Sequence, residues 1–412
     1  MDKSLSFVFK GYNADLKKGE VLFNFGFRGE KNIDFTEKIS FPPIKNQIPQ
    51  ELLNSVFNNL MLILGISYWK AYCPREIIIE NNFLSKEQAE FWNTVYTKGL
   101  GEFFYKNKID FRGLINFPYN EKVEIKSTSF SRQNRSLLGI GGGKDSIIVA
   151  EMLKKENKEF DLLFQVTQIQ KDVAKVMNKK PIDMQRELDP KLFELNKKDD
   201  TYNGHIPVSV IYAMLGIMAC AFYDYKSFVV GNEKSANYGN VEYLGEMINH
   251  QWSKSEEFEK LFNDYVKKFI TPDIAYSSPL RGMSELEVVK EFVKYSKYFK
   301  VFSSCNRNFK ISAPLRSDEL RRGKWCGKCP KCLFVFICLA AFLSKKEVLD
   351  IFGKNLFEDE SLISLFEELL GIRNFKPFEC VGTPEEVKEA LNKIINKGEF
   401  NDSFLIKHFK KL

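Results

Sequence analysis

The chain has 412 residues, 44% of them hydrophobic and 28% charged, a globular profile with material for roughly two to three domains. Its 61 Lys+Arg against 54 Asp+Glu leave a net charge of +7, which suits an anionic ligand such as a nucleotide and does not demand nucleic acid. The start, MDKSLSFVFKG, lacks the apolar region and cleavage site of a signal peptide, and the longest apolar run, 333–343, is too short to span a bilayer, so a cytoplasmic protein with no membrane partner is expected.

The first third reads as a mixed α/β unit. SFVFKGY and EVLFNFGF around LKKG predict a hairpin, and an apolar helical stretch over 52–71 ends before Pro74. A second helix, capped by Ser85, is predicted over 86–98. A polar linker is expected over 120–135. Strands then follow at 136–140, 160–166, 227–230 and 309–313, with a helix over 146–155. This strand–loop–helix rhythm predicts a doubly wound parallel sheet. The part from about residue 346 is helical and charged, and Thr383-Pro384-Glu385-Glu386 is a strong helix start. Three units result: 1–130, an α/β domain suited to substrate recognition; 131–345, the parallel-sheet domain; and 346–412, a helical region. The 38 Phe are spread over the whole chain and are read as core packing.

The segment SLLGIGGGKDSIIVAEML carries the sharpest chemical signal. A strand feeds Gly141, Gly142 and Gly143, and a helix opens near Asp145 and Ser146. Glycines let the backbone approach a ligand closely, and the free amides of loop and helix start face an anion. Lys144 adds charge and Ser146 a hydroxyl. A Walker A loop is excluded, because Gly143-Lys144 is followed by Asp145 and Leu138 stands where its first Gly belongs. The loop resembles instead the SGGxDS loop of the ATP-pyrophosphatase superfamily, which binds the β and γ phosphates and releases pyrophosphate. Gly141 replaces the leading Ser, which removes a hydroxyl and keeps every amide. Asp145 beside a polyanion calls for Mg²⁺; the alternative is that it only caps the helix. A second wall is read at FVVGNEKSAN, where Gly231 permits a turn at a strand end and Asn232, Glu233 and Ser235 are polar groups at that edge. An ordinary capped turn reads equally well there.

Cys326, Cys329 and Cys332 lie within WCGKCPKC, the spacing of a zinc knuckle, and Cys305 is the best fourth ligand. Four thiolates leave no open position, so the zinc would be structural; free thiols or an iron–sulfur cluster are the alternatives. Arg321, Arg322, Lys324, Lys328 and Lys331 would offset the negative charge. Among other polar residues, His205 in NGHIP and His250 and Lys254 in NHQWSKS suit substrate contact, although NHQWSKS also reads as a solvated helix start.

Taken in order, GGGKDS, NGHIPV, GNEKSANYGN, NHQWSKS, SSCNRN, WCGKCPKCLFVF and PFECVGTPEEV resemble the UDP-N-acetyl-α-D-muramoyl-L-alanyl-L-glutamate epimerase family. FTEKISFPP, LGISYWKAYCP and GLGEFFYKNKIDF extend the likeness over nearly the whole chain. The resemblance implies ATP-dependent inversion of the terminal L-Glu of UDP-MurNAc-L-Ala-L-Glu, with release of AMP and pyrophosphate. Adenylation neutralises the carboxylate and makes the Cα proton accessible to a side-chain base. His205, His250, Lys234, Lys254 and Cys380 are the residues from which that base is expected. The runner-up is a nucleobase-acting ATP pyrophosphatase such as 7-cyano-7-deazaguanine synthase, or a tRNA-modifying relative; a zinc-ribbon binding protein is the non-enzyme reading.

Overall fold

The computed structural model describes residues 5–44, 46–164, 167–309 and 324–412. In chain order the strands among them are β1 (Ser6–Asp15), β2 (Glu20–Arg28), β3 (Ile33–Ser40), β4 (Glu76–Ile79), β5 (Ser136–Gly139), β6 (Phe160–Phe164), β7 (Pro181–Asp183), β8 (Gln185–Glu187), β9 (Ser227–Val229), β10 (Val241–Tyr243), β11 (Glu246–Ile248) and β12 (Ala275–Ser277). They form two five-stranded sheets and one short hairpin.

The first sheet has the order β4-β1-β2-β3-β8. Its centre is the predicted hairpin, with β1 and β2 antiparallel and Phe7 opposite Phe27. Period-two alternation puts Val21, Phe23, Phe25 and Phe27 of β2 on one face, and none of them is exposed. Phe7, Phe9 and Phe35 join them from the neighbouring strands. Each buried Phe stabilises the fold by about 1.5–3 kcal/mol, so this aromatic face anchors the N-terminal part. The helix Gln50–Leu64 covers it. The apolar stretch predicted as one helix over 52–71 breaks at Gly65 and resumes as Ile66–Trp69. A Cβ at Gly65 would lie 2.3 Å from the Phe9 ring, so the glycine lets the helix sit directly on that ring. The run Gln50–Trp69 has the length and apolarity of a membrane span, but 83% of its most apolar window is buried inside the fold.

The second sheet has the order β12-β9-β5-β6-β7, and every pairing in it is parallel. Leu137, Leu163 and Phe228 face one core, while Leu138, Leu162 and Val229 face the other. Both faces are therefore covered, as a parallel sheet requires. The α/β class read from the sequence holds for this sheet. The 160–166 strand is seen as Phe160–Phe164, and residues 165–166 lie outside the described residues. The strand expected at 309–313 is not seen: Phe309 ends the short 3₁₀ turn Asn306–Phe309, and residues 310–313 lie outside the described residues.

Packing runs across residue 130. β8 pairs with β3, and the helix Val208–Tyr223, apolar on all sides, packs on Gln50–Leu64. At the C-terminus, Thr383 and Glu386 form the capping box that the sequence announces, with Pro384 in the first turn and Gly398 closing the helix in a left-handed conformation.

Candidate active site

From β5 the chain passes to β6 and β7 on one side, then returns to β9 and β12 on the other. The C-terminal ends of β5 and β9 thus form a topological switch point, where open α/β sheets bind ligands. The glycine loop leaves β5 there and opens the helix Lys144–Lys155. Gly142 takes φ +82°, and a Cβ on it would lie 2.7 Å from Ile169 Cγ2. Among the described residues, the amides of Gly141, Gly142 and Gly143 donate to no protein acceptor, and no side chain caps the helix start. This is an anion cradle of the kind the sequence indicates. Gly231 closes the other wall: a Cβ there would sit 2.8 Å from the backbone carbon of Asp145.

The polar residues of this cradle are placed unequally. The Lys144 ammonium is completely buried and bonds Asp145 and Glu285, rather than pointing into the open loop. Those carboxylates outweigh its burial and raise its pKa. Ser146 Oγ donates back to Gly143 O at 3.2 Å. Asn232 is tied into the sheet, its amide nitrogen donating to Ser278 Oγ at 2.9 Å and its side chain to Tyr276 OH at 3.1 Å. Ser235 donates to Glu386. Glu233 accepts from the amides of Ser235 and Ala236, and burial, then the negative Glu285 and Asp145, push its pKa up to about 8. Burial works against the charged form of Asp145, but Lys144, Lys331 and Lys254 hold it below the ordinary carboxylate range. The mutual repulsion of Asp145, Glu233 and Glu285 is the environment a divalent cation relieves, so these residues fit the Mg²⁺ expected at Asp145.

Beside the cradle lies a second group. The Glu102 carboxylate, 5% exposed, is 2.5 Å from His250 Nδ1 and 3.4 Å from His205 Nδ1. The two imidazole rings are 4.5 Å apart. Lys254 Nζ donates to Cys380 Sγ at 3.2 Å. Burial opposes a charged His250, yet Cys380 and then Glu102 raise its pKa to about 9. Burial and the neighbouring His250 lower His205 to about 3, so it is neutral. Burial also opposes a Cys380 thiolate, but Lys254 and His250 hold the thiol well below its usual value. Lys254 acts on both groups, being raised first by Cys380 and also by Asp145 and Glu233. Lys234, by contrast, is exposed and stands outside this group.

Local sequence explains how the pieces meet. Asn249-His250 follows the β10–β11 hairpin, and His250 N donates to Asn240 Oδ1 at 2.8 Å. Gly101, at the start of the helix Gly101–Asn107, has room for Ile248 at only 3.3 Å from where a Cβ would stand, which brings the hairpin onto Glu102. Asn240 Nδ2 donates to the carbonyls of Lys376 and Pro377, and Gln251 Nε2 to that of Val381. These bonds pin the segment carrying Cys380. NHQWSKS is both things the sequence allows: Ser255 caps the helix Glu256–Phe269, while His250 and Lys254 turn to Cys380. Glu102, Glu285 and Lys376 were not singled out from sequence. For Glu102, a lone carboxylate on the apolar helix GEFFYKN is the signal that was there to read.

The sulfurs of Cys305, Cys326, Cys329 and Cys332 all lie within 4.8 Å of one another, and Cys326 and Cys332 are 3.7 Å apart. A tetrahedral Zn²⁺ with Zn–S near 2.3 Å needs S–S edges of roughly 3.8 Å, so the four thiols fit the metal. The cluster abuts the glycine loop: Ser303 N donates to Gly142 O at 3.1 Å, and a Cβ on Gly143 would meet Ser304 Oγ at 2.7 Å. Lys331 does not serve to offset the thiolates, since its ammonium reaches Cys380 O and lies 3.8 Å from Glu285. Arg321 and Arg322 lie outside the described residues.

Residues 1–279 match the family model described as the MurL N-terminal domain, and residues 301–412 that of the MurL C-terminal domain. The chain belongs to this family. It is 37% identical to the UDP-N-acetyl-alpha-D-muramoyl-L-alanyl-L-glutamate epimerase of Xanthomonas oryzae pv. oryzae, over 85% of this chain and 76% of that protein. It is 33% identical to the epimerases of the same name from Micromonospora sp. and Salinispora tropica, over 98% and 97% of this chain and 89% and 86% of theirs. The likeness includes the N-terminal sheet that a nucleobase-acting synthase would not explain.

Proposed function

We propose that this chain inverts the terminal L-Glu of UDP-MurNAc-L-Ala-L-Glu to D-Glu, after ATP has activated the glutamate carboxylate as an acyl-adenylate with release of pyrophosphate. The epimerase reading rests on the family match over almost the whole chain. The observation that supports ATP as co-substrate is the uncapped glycine loop at the switch point, with Lys254 standing in the field of Asp145 and bonded to the Cys380 thiol. On this reading the protein is a member of the ATP-pyrophosphatase superfamily, which the glycine loop supports, and it works in the cytoplasm in peptidoglycan synthesis.

The amides of Gly141–Gly143 and the positive end of the loop helix bind the pyrophosphate part of the nucleotide. Asp145 and Glu233 hold Mg²⁺, which supplies charge neutralisation at the phosphates when bound. Lys144 keeps Asp145 and Glu285 in place from beneath. Adenylation removes the negative charge of the carboxylate, so that the negative charge formed at Cα can delocalise into the acyl group. The second group then stands beside that centre, within the field of Lys254. Cys305, Cys326, Cys329 and Cys332 would hold a structural Zn²⁺, which would fix the Ser303–Ser304 segment against the loop.

Incubation with Mg-ATP and UDP-MurNAc-L-Ala-L-Glu in D₂O tests this. AMP, pyrophosphate and a D-Glu product labelled at Cα are expected. Inversion without AMP would remove ATP from the reading; AMP without inversion would make the protein a ligase.

A further inference from the structure

Resting on that epimerase reading, we propose that Cys380 is the base that takes the Cα proton of the terminal L-Glu, held as the thiolate by Lys254 and His250. Four observations carry this. Cys380 Sγ accepts from Lys254 Nζ at 3.2 Å, so a cation is built against the sulfur. His250 adjoins the same sulfur and is held through Nδ1 by Glu102 at 2.5 Å, a carboxylate–imidazole–thiol order that gives the ring a fixed orientation. His205 packs on His250 and is neutral, so it adds no second charge to the ring stack. The Lys376 ammonium is 5% exposed, bears on Cys380 and Glu233, lies 5.3 Å from the centre of the Tyr238 ring, and has no hydrogen-bond partner among the described residues. A buried ammonium with no hydrogen bond is costly, and an anionic group of the bound substrate satisfies it. The thiol therefore sits where a negatively charged ligand completes the site.

The proton inventory closes. The Cys380 thiolate forms an S–H bond as the Cα–H bond breaks, and the electron pair moves into the activated acyl group as an enolate. The enolate collapses as Cα takes a solvent proton on the other face. The Cys380 thiol then returns its proton to solvent, which restores the thiolate. Nothing is oxidised or reduced. Glu102 is a positioning residue in this scheme and does not touch Cα.

The test is solvent exchange on Cys380→Ser and His250→Gln with Mg-ATP in D₂O, starting separately from the L,L and L,D epimers. Cys380→Ser should lose inversion by about 10²–10⁴-fold and should fail to label the L,L epimer. His250→Gln keeps the sulfur and removes one cation beside it, so it should label the L,L epimer more slowly than the unmodified protein and faster than Cys380→Ser. On unmodified protein, iodoacetamide near pH 6 should label Cys380 ahead of the buried Cys73 and Cys220, and substrate should protect it. The assignment falls if Cys380→Ser inverts within tenfold of the unmodified enzyme, if Cys380→Ser labels the L,L epimer as fast as His250→Gln does, or if Cys380 stays unlabelled. If the unmodified protein forms neither AMP nor the D-Glu product, the epimerase reading fails instead, and the variants are not the cause.

Discussion

Two thiol environments stand close to the same glycine loop, and they are built on opposite principles. Cys305, Cys326, Cys329 and Cys332 face one another, and Lys331, one of the cations expected beside them, turns away to Cys380 O. Cys380 faces Lys254 and His250. Four thiols gathered within reach of one another fit a metal that carries their charge. A single thiol against an ammonium and an imidazole is held as a thiolate by the protein alone. On the proposed reading, the first arrangement supports the loop and the second supplies reactivity beside it.

The comparison breaks most visibly at the metal ligands. Cys332→Ser should lose the zinc and about 4 kcal/mol or more of stability, because it leaves an incomplete site in the buried second core. Metal analysis with thermal melting checks this, and a chelator should reproduce it while leaving alkylation of Cys380 intact on protein that is still folded. Equal loss of alkylation would show that the two thiol sites are not independent.

Lys254→Met comes next. Its removal raises the Cys380 thiol, so the rate of alkylation near neutral pH should fall by about 10–10²-fold, and inversion with it. Alkylation rates across pH give the thiol's titration directly.

Lys376→Met should separate binding from folding. A buried ammonium with no hydrogen bond among the described residues is removed, so stability should stay level or rise, while KM for the UDP-linked substrate should increase about tenfold, close to 1.4 kcal/mol. An unchanged KM would mean that Lys376 meets no substrate anion.

The smallest expected effect is a shift in pH profile. His250 is raised from 6.5 to about 9, so its favourable charge is fully present below pH 6.5 and is lost as pH rises through about 9. Glu102 is lowered from 4.5 to about 2, so its contribution is present above 4.5 and is lost as pH falls through about 2. Lys106, bonded to Glu102 at 2.5 Å, and Cys380, Lys254, His205 and Glu379 also face this pair. Inversion should therefore decline on the alkaline side near pH 9. Glu102→Gln removes the negative partner, lowers the imidazolium pKa, and should move that alkaline limb down by about one unit.

Much of the scaffold was legible in the chain itself. Alternating Phe in β1 and β2, the capping box at Thr383, and the strand–glycines–helix order at 136–155 are all set by neighbours a few residues apart. So is the Cys326, Cys329, Cys332 spacing, because two residues between thiols already bring them to one metal. The break at Gly65 was not legible, since it answers to a ring on a distant strand.

The chemistry of the site was readable only as a set of residue types. Sequence named His250, Lys254 and Cys380 with His205 and Lys234, and had no means to choose among them. Glu102 meets His250 across 148 residues, and Lys254 meets Cys380 across 126. Nothing local encodes those distances. The chain by itself determined which backbone loop could cradle an anion and which thiols could share a metal, because both depend on short-range geometry. Only the tertiary structure decided which thiol is held between cations, which lysine is locked among carboxylates and which has no hydrogen bond among the described residues, because burial and charge pairing arise where separate elements pack together.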